Sequence, residues 1–261
     1  LDDNQSVTVT YLHSWTNEFY LLNTKKPPTD NIWFRRAIAS SFDRETIVKH
    51  VYKNTATQAK GLTPQNIPLF QEPDSLLKFD LDLARHYLEK SEINIDSINL
   101  NFSFVSTYEE YRLTAFMLLD NLRTLGVSLN LKPGLWSTNW DKAKNLETSP
   151  NIISMAWWPT VASQSDWFFA LYNSQVKTLF NLSYYSNSLV DSLTEKAWSL
   201  ESTSPEVAKA LYKRLQNIVI DDCVVIPAVD IKIPSVRRSN IGGLKNNPAY
   251  SSIFVYNLEK N

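Results

Sequence analysis

Alternating apolar and polar positions predict the strands of this chain. The alternation is regular over Ser6–Leu12 and Ser97–Val105, where every second side chain is apolar. The run Ile152–Trp157 is almost wholly apolar, which is typical of a central strand covered on both faces. Shorter apolar runs at Phe19–Leu22 and Val224–Val229 predict two more strands.

Apolar residues at helical spacing predict the layers that cover these strands. Helices are expected at about 31–41 and 44–53, from Asp80, and over Tyr108–Leu125, Trp140–Lys144, Asn187–Leu200 and Pro205–Asp221. Asp30 and Asp43 are expected to cap the first two, because a carboxylate at the helix start accepts unpaired backbone N–H groups. A strand follows Tyr108–Leu125 directly, so this helix predicts a parallel strand pair. The chain is therefore predicted to be α/β, with a mixed β-sheet flanked by helices.

Composition excludes several classes of function. The 261 residues carry a net charge of -1, which gives no reason to expect a nucleic acid or an anionic membrane as partner. Cys223 is the single cysteine, so an internal disulfide and a cysteine-based metal site are excluded. No metal and no cofactor is expected. The chain is rich in aromatics, with 8 Trp, 12 Tyr and 12 Phe, which form either core or the lining of a ligand cleft.

Nothing in the pattern points to an enzyme. His13, His50 and His86 are scattered, and no metalloprotease, nucleophile-elbow or phosphate-loop motif occurs. A hydrolase remains as a third hypothesis, which requires a histidine close to a serine or an acid in the folded chain.

The segment Leu22–Glu45, LNTKKPPTDNIWFRRAIASSFDRE, resembles a signature of the family 5 extracellular solute-binding proteins of ABC importers. Its asparagine-threonine-lysine-lysine-proline-proline start, its Arg-Ala pair and its FDRE end occur in the same order and spacing in that family. Further similarities are found at Phe79-Asp80, Leu119–Pro133, Met155–Trp157, Leu171–Asp191 and Ile226-Pro227. The resemblance covers about residues 7 to 245.

The resemblance implies the C-terminal lobe of a periplasmic-binding-protein type II-like fold, since family members are roughly twice this length. Residues 11–230 would form the ligand-binding lobe. Residues 1–10 would be a strand crossing from the N-terminal lobe, and residues 231–261 would return to it. No signal peptide is present, and Leu1 is not a start methionine, so a longer chain is expected.

The implied function is solute binding by hinge closure of two lobes, followed by delivery to an ABC permease in the membrane. Such a protein is expected in the periplasm or outside the cell, with a lipid anchor as one option for the full-length chain. The alternative is a ligand-sensing domain of a cytoplasmic transcription regulator built from the same lobe. The sequence upstream of Leu1 discriminates the two.

Candidate ligand-binding residues follow the predicted strands. Trp157, Trp158 and Thr160 come directly after the most apolar strand, and ligands collect beyond the carboxyl ends of strands in open α/β sheets. From the residues alone, Trp158 and Trp136 either plug the edge of the core or face a cleft, and the resemblance favours the cleft. Tyr184 and Asp230 complete the candidate set. Of Tyr184 and its neighbour Tyr185, one ring is expected to face the cleft and the other to be buried in the core.

One departure from the family bears on the solute. In peptide-binding members an aspartate stands three residues after the tryptophan of the central strand and pairs with the peptide's ammonium, whereas this chain has Thr160. Asp166 is the nearest acid, and it is expected to cap the helix that follows. We therefore predict that a plain peptide with a free amine is not the preferred solute, unless the missing lobe supplies an acid. The candidate solutes are a modified peptide, an oligosaccharide and another amphipathic small molecule, and aromatic-rich walls with little charge favour the last two.

Overall fold

The computed structural model of the chain describes residues 6–249 and 255–260. Its six-stranded mixed sheet contains β1 (Val7–Leu22), β2 (Ala56–Gln58), β3 (Leu100–Val105), β4 (Leu129–Gly134), β5 (Ile152–Trp157) and β6 (Val225–Arg238). The strand order is β2–β6–β1–β5–β3–β4. β1 is antiparallel to both β5 and β6, while β3 is parallel to β4 and β5. The parallel pair predicted around the long helix is thus present.

Helices cover both faces of the sheet. They are α1 (Ile32–Ser40), α2 (Arg44–Thr46, continued by a π-helical turn Ile47–Val51), α3 (Leu81–Ser91), α4 (Glu109–Thr124), α5 (Trp136–Ala143), α6 (Ser165–Trp167, continued by a π-helical turn Phe168–Tyr172), α7 (Ser188–Leu200) and α8 (Pro205–Asp221). Buried apolar residues of α1–α4 form one core cluster with the sheet, and those of α5–α8 form another. A pair of two-residue strands, β7 (Ile241–Gly242) and β8 (Glu259–Lys260), and 3-10 turns at Ile95–Ser97 and Val255–Asn257 complete the elements.

β1 is one strand of 16 residues where the sequence predicted two short ones. Its register against β6 shifts between His13 and Asn17, and this irregularity explains why the apolar alternation is interrupted there. β6 also runs past its predicted end, because residues 232–238 pair with residues 7–13 of β1. These two stretches form a two-stranded ribbon. A second register shift places Pro227 opposite Phe19, so an irregular position accommodates the proline within the strand.

Two boundary predictions on the helices need correction. Asn31, rather than Asp30, caps α1: its side-chain oxygen accepts from the backbone N–H of Trp33 at 2.8 Å and of Phe34 at 3.3 Å. The backbone N–H of Asp30 donates to the carbonyl of residue 26, so Asp30 still belongs to the preceding turn. Asp43 caps α2 as predicted, accepting from the N–H of residue 46 at 3.0 Å. The helix predicted at Trp140–Lys144 begins four residues earlier, at Trp136.

Arg35 joins α1 and the turn before it to the segment between α8 and β6, which is distant in the sequence. Its buried guanidinium donates to the carbonyl oxygens of Thr29 at 2.8 Å and Asp30 at 3.0 Å. It also donates to those of Asp222 at 2.7 Å and Cys223 at 3.0 Å, where α8 ends and β6 is about to begin. Desolvation lowers the pKa of Arg35, and the four carbonyl oxygens supply the polar environment that a buried cation requires.

We expect Arg35→Met to destabilise the protein, because it leaves four carbonyl oxygens without their donor. The loss in the free energy of unfolding should be about 3 kcal/mol or more in urea denaturation. Arg36→Met on the same helix is the matched control, since Arg36 makes one exposed bond to the carbonyl of Asp221 and should cost about 1 kcal/mol or less. Equal losses in the two variants would contradict the role given to Arg35.

Candidate functional site

Four side chains form a row across the sheet where the ribbon leaves it. Trp157 of β5 lies opposite Asn17 of β1, Asn17 lies opposite Asp230 of β6, and Asp230 lies opposite Thr57 of β2. Directly opposed residues of neighbouring strands point to the same face, which here is the face covered by α5–α8. The carboxyl ends of β3, β4 and β5 lie at this same end of the sheet, which we call the ribbon edge. The sheet thus brings two predicted site residues, Trp157 and Asp230, to one row.

Asn17, which sequence reasoning missed, holds the middle of this row. It is fully buried, its amide N–H donates to the carbonyl of Leu62 at 2.9 Å, and its oxygen accepts from the indole N–H of Trp167 at 2.9 Å. It therefore anchors both the loop after β2 and the start of α6 to the sheet. The available signal was weak, because Asn17 lies in a polar stretch between Trp15 and Phe19 that is also typical of a loop.

Asp230 is buried with half of its hydrogen-bonding capacity unused. One carboxylate oxygen, Oδ2, accepts from the backbone N–H and the side-chain amide of Gln65, each at 3.1 Å. The other oxygen, Oδ1, is buried and has no hydrogen-bond partner among the described residues. Desolvation raises the pKa of Asp230 to about 6, although the two bonds from Gln65 favour its charged form. The carboxylate can accept one further donor.

The loop between Trp157 and Asp166 is held by Asp166 itself. One oxygen of Asp166 accepts from the backbone N–H of Thr160 at 2.9 Å and from the indole of Trp157 at 3.3 Å. The other accepts from the hydroxyl of Thr160 at 3.0 Å. The prediction that Asp166 caps the following helix is therefore wrong, because its side chain points back to the loop. Both oxygens already have donors, so this carboxylate has little capacity left for a solute.

Aromatic side chains line the ribbon edge beside this loop. Trp136 is the first residue of α5 and is 36% exposed, and Trp140, one turn later, lies on the same side of the helix. Trp140 stacks on Phe180 with ring centres 5.7 Å apart, and Phe180 contacts Trp157 edge to face at 5.1 Å. Trp158, at the start of the loop, is 65% exposed. Trp140, Phe180 and Trp157 thus form one continuous aromatic row, and the exposed Trp136 and Trp158 adjoin it along the chain.

Tyr184 is not brought to this group. Its hydroxyl donates to the carbonyl of Ala143 at 2.8 Å, at the last residue of α5. The preceding residue, Ser183, accepts two bonds from Thr24, which follows the end of β1 opposite to Asn17. Tyr184 therefore lies at the far end of the lobe, where it lines a polar surface cavity of about 470 Å³ together with Lys25.

Other kinds of site find little support in the described part of the chain. His13, His50 and His86 are exposed on separate elements. Across residues 6–249 and 255–260, no group of three His, Cys, Asp or Glu side chains is arranged to hold a metal ion. Within the same residues, no helix has both the length and the apolar character needed to cross a membrane.

Comparison with known sequences identifies the family. The sequence profile described as bacterial extracellular solute-binding proteins, family 5 Middle, matches residues 1–179. The chain therefore belongs to the family 5 bacterial extracellular solute-binding proteins, which confirms the resemblance found in its sequence.

Its curated relatives are named for peptide-type solutes. The chain is 23% identical over 244 residues to a probable di/tripeptide-binding protein 5 of Pseudomonas aeruginosa (strain UCBPP-PA14), covering 93% of this chain and 46% of that protein. It is 25% identical over 252 residues to the glutathione-binding protein GsiB of Escherichia coli O6:K15:H31 (strain 536 / UPEC), covering 93% and 48%. The chain spans about half the length of these relatives.

Solved structures confirm the predicted fold class, that of a lobe of periplasmic-binding-protein type II-like architecture. A putative peptide-binding protein AppA from Clostridium difficile superposes with a TM-score of 0.87 at 16% identity, over 100% of this chain and 54% of that one. A dipeptide-binding protein from Pseudoalteromonas sp. SM9913, in complex with Met-Leu, superposes with a TM-score of 0.82 at 21% identity, over 100% and 51%.

We expect Asp166→Asn to loosen the loop after β5, because an amide cannot accept from all three donors that Asp166 now satisfies. Hydrogen exchange at the Thr160 amide should become roughly 10- to 100-fold faster, as judged by mass spectrometry of peptides covering 158–166. Asp141→Asn, which removes only an exposed ion pair with Lys144, is the control and should leave that exchange unchanged. Unchanged exchange in Asp166→Asn would show that the loop is held by other contacts.

Proposed function

We propose that this chain is the C-terminal lobe of a solute-binding component of a bacterial ABC importer. The observation that carries the proposal is the ribbon edge, where exposed tryptophans and a half-used buried carboxylate lie beside the two strands that leave the lobe. The full protein would bind its solute between this lobe and a second one, close by a hinge motion, and dock on a membrane permease. Binding without covalent chemistry is sufficient for this task.

The ribbon supports the proposed division of the chain. Among the described residues, 7–13 and 232–238 form strand pairs only with each other, beyond the region where β2 and β5 take part in the sheet. Residues 11–230 would be the ligand-binding lobe, with 1–10 and 231–261 as the segments that connect it to the second lobe. Of these connecting segments, residues 1–5, 250–254 and 261 lie outside the described residues.

The site residues receive distinct roles. Trp136, Trp157 and Trp158 supply apolar and stacking surface. Asp230 is the acceptor for a donor from the solute or from the second lobe, and because its free oxygen is buried, the side chains that cover it must move aside first. Thr160 contributes less than its position in the sequence indicates, because its N–H and hydroxyl both bind Asp166. Tyr184 lies too far along the lobe to share this cleft, so we leave it out of the proposed site.

The solute class follows from the relatives and from this loop. The relatives' names favour a peptide-type solute, and the loop offers no free carboxylate for the peptide's terminal ammonium. We therefore propose a peptide whose terminal amine is not the anchoring group, such as a modified peptide, with an oligosaccharide as the second candidate because sugars also stack on exposed tryptophan.

The importer proposal also implies a cellular location and has one competing function. An importer component acts in the periplasm or outside the cell, and a lipid anchor upstream of Leu1 would hold it to the membrane surface. The ligand-sensing domain of a cytoplasmic transcription regulator is the alternative. The binding proteins named above favour the importer, and a helix-turn-helix upstream of Leu1 would favour the regulator instead.

We expect N-acetylation to have little effect on peptide binding by the full-length, two-lobed protein. Calorimetry with Ala-Phe-Ala and N-acetyl-Ala-Phe-Ala should give dissociation constants within about threefold of each other, because no loop carboxylate is free to form a charge-assisted bond of roughly 1.5–3 kcal/mol. Tight binding of the free peptide that disappears on acetylation would overturn this part of the proposal.

We expect Trp158→Ala to weaken binding of the same peptides about tenfold, since it removes an exposed ring from the proposed cleft. Trp198→Ala is the matched control, because Trp198 is 57% exposed on α7 and packs edge to face against Phe169, outside the group of Trp136, Trp157 and Trp158. For each variant, the measured quantity is the ratio of its dissociation constant to that of the unsubstituted protein. Equal effects of the two substitutions would argue against a cleft at Trp158.

A further inference from the structure

Glu18 is a carboxylate without a cation on the face of the sheet opposite to Asn17. It lies on β1 directly opposite Ala156 of β5 and Val229 of β6, one position further into the lobe than the row of Asn17. The side chain is half-buried, and one oxygen accepts a hydrogen bond from the hydroxyl of Tyr52. No Lys, Arg or His of the described residues forms an ion pair with it.

The groups that face Glu18 are phenols and a second carboxylate. Tyr20 comes from the same strand, Tyr52 follows the π-helical turn after α2, and Glu110 and Tyr111 lie in the first turns of α4. Each of the four interacts electrostatically with Glu18. Aromatic faces and carboxylates attract cations and repel anions, so this cluster provides an acidic, partly aromatic surface.

The cluster lies at the same end of the sheet as the ribbon edge. α4 begins shortly after the carboxyl end of β3, and its capping residue Tyr108 is 58% exposed. Glu18, Tyr52 and Glu110 are all half-buried rather than enclosed. Each of these side chains therefore keeps part of its residue surface open at this end of the sheet.

We propose that Glu18, together with Glu110 and the surrounding tyrosines, binds a positively charged side-chain ammonium or guanidinium group of the solute. The inference rests on the proposed function and narrows its solute to a cationic one. It places the charge on the α4 side of the sheet, away from Thr160 and Asp166. A lysine or arginine of the second lobe would satisfy the same surface, and the experiments below separate the two cases.

The test uses the full-length protein and pairs of tripeptides derived from Ala-Ala-Ala. In each pair, the alanine at one position is replaced by lysine in one peptide and by norleucine in the other. The two side chains have the same carbon stem and differ by the ammonium. At pH 8 we expect lysine to bind roughly 10- to 100-fold tighter than norleucine at one position. Glu18→Gln should reduce this ratio to about threefold or less, while keeping an acceptor for Tyr52.

Two further variants guard against an effect on folding. Glu110→Gln should reduce the lysine preference in part, because it removes the second carboxylate and leaves Glu18 in place. Glu109→Gln is the matched control: Glu109 occupies the same turn of α4 but pairs with Arg112 on the exposed side. The control should keep the full preference.

The pH dependence gives an independent readout. Desolvation, and to a lesser extent the charge of Glu110, raise the pKa of Glu18 to about 7, although the bond from Tyr52 opposes the shift. Burial raises the pKa of Tyr20, Tyr52 and Tyr111, so these groups stay neutral near pH 7. A cation binds the ionised carboxylate, and affinity for the lysine peptide should therefore rise about tenfold from pH 6 to pH 8. In Glu18→Gln it should not rise.

The outcomes are distinguishable. Peptides that bind with equal affinity whether they carry lysine or norleucine overturn the role of Glu18 and leave the proposed importer function standing; this is also the result expected if the second lobe supplies the cation. A lysine preference that persists in Glu18→Gln assigns the charge to another residue and likewise overturns the inference. If none of the peptides binds, the peptide-type function itself fails.

Discussion

The pairing of β1 on both sides is the constraint on which the lobe and its site depend. From residue 17 to residue 22 β1 is bonded to β5 on one edge and to β6 on the other, so its side chains alternate strictly between two helical layers. Phe19 and Leu21 enter the core with α5–α8, and Tyr20 and Leu22 enter the core with α1–α4. The same alternation sends Asn17 to the tryptophan side and Glu18 to the tyrosine side. A slip of one residue would exchange both polar groups and both cores.

Buried polar side chains bond the ends of this sheet to the segments around it. Asn23, just after β1, donates to the hydroxyl of Ser149 at 2.8 Å, and Asn151 donates to the carbonyl of Pro27 at 3.0 Å. Arg35 links the following turn to the start of β6. The family signature at Leu22–Glu45 thus has a structural role: its polar residues close the end of the lobe opposite to the ribbon edge. Loss of the hydrogen bond at any of these positions would leave a buried polar group without a partner.

Much of the fold was predictable because it depends on local chemistry. Helices α4, α7 and α8 and the apolar strand β5 follow from the spacing of apolar residues alone. Asp43 caps α2 as expected. The wrong predictions concern side chains whose choice of hydrogen-bond partner the apolar pattern does not determine. Asn31 replaces Asp30 as a cap because the preceding turn extends one residue further. Asp166 turns back to the loop because Trp157 and Thr160 present three donors to it.

The sequence by itself determined the family and the α/β class and predicted part of the candidate site, since signature spacing, apolar periodicity and side-chain chemistry are properties of neighbouring positions. Only the tertiary structure decided that Trp157, Asn17 and Asp230 share a row, that Tyr184 lies at the far end, and that Glu18 faces Tyr52. The alternation of a strand shows that its side chains have two faces, but it contains no information on which strand lies beside it or in which register. Those choices are made when the two cores pack, and the groups that meet at the ribbon edge come from distant parts of the chain.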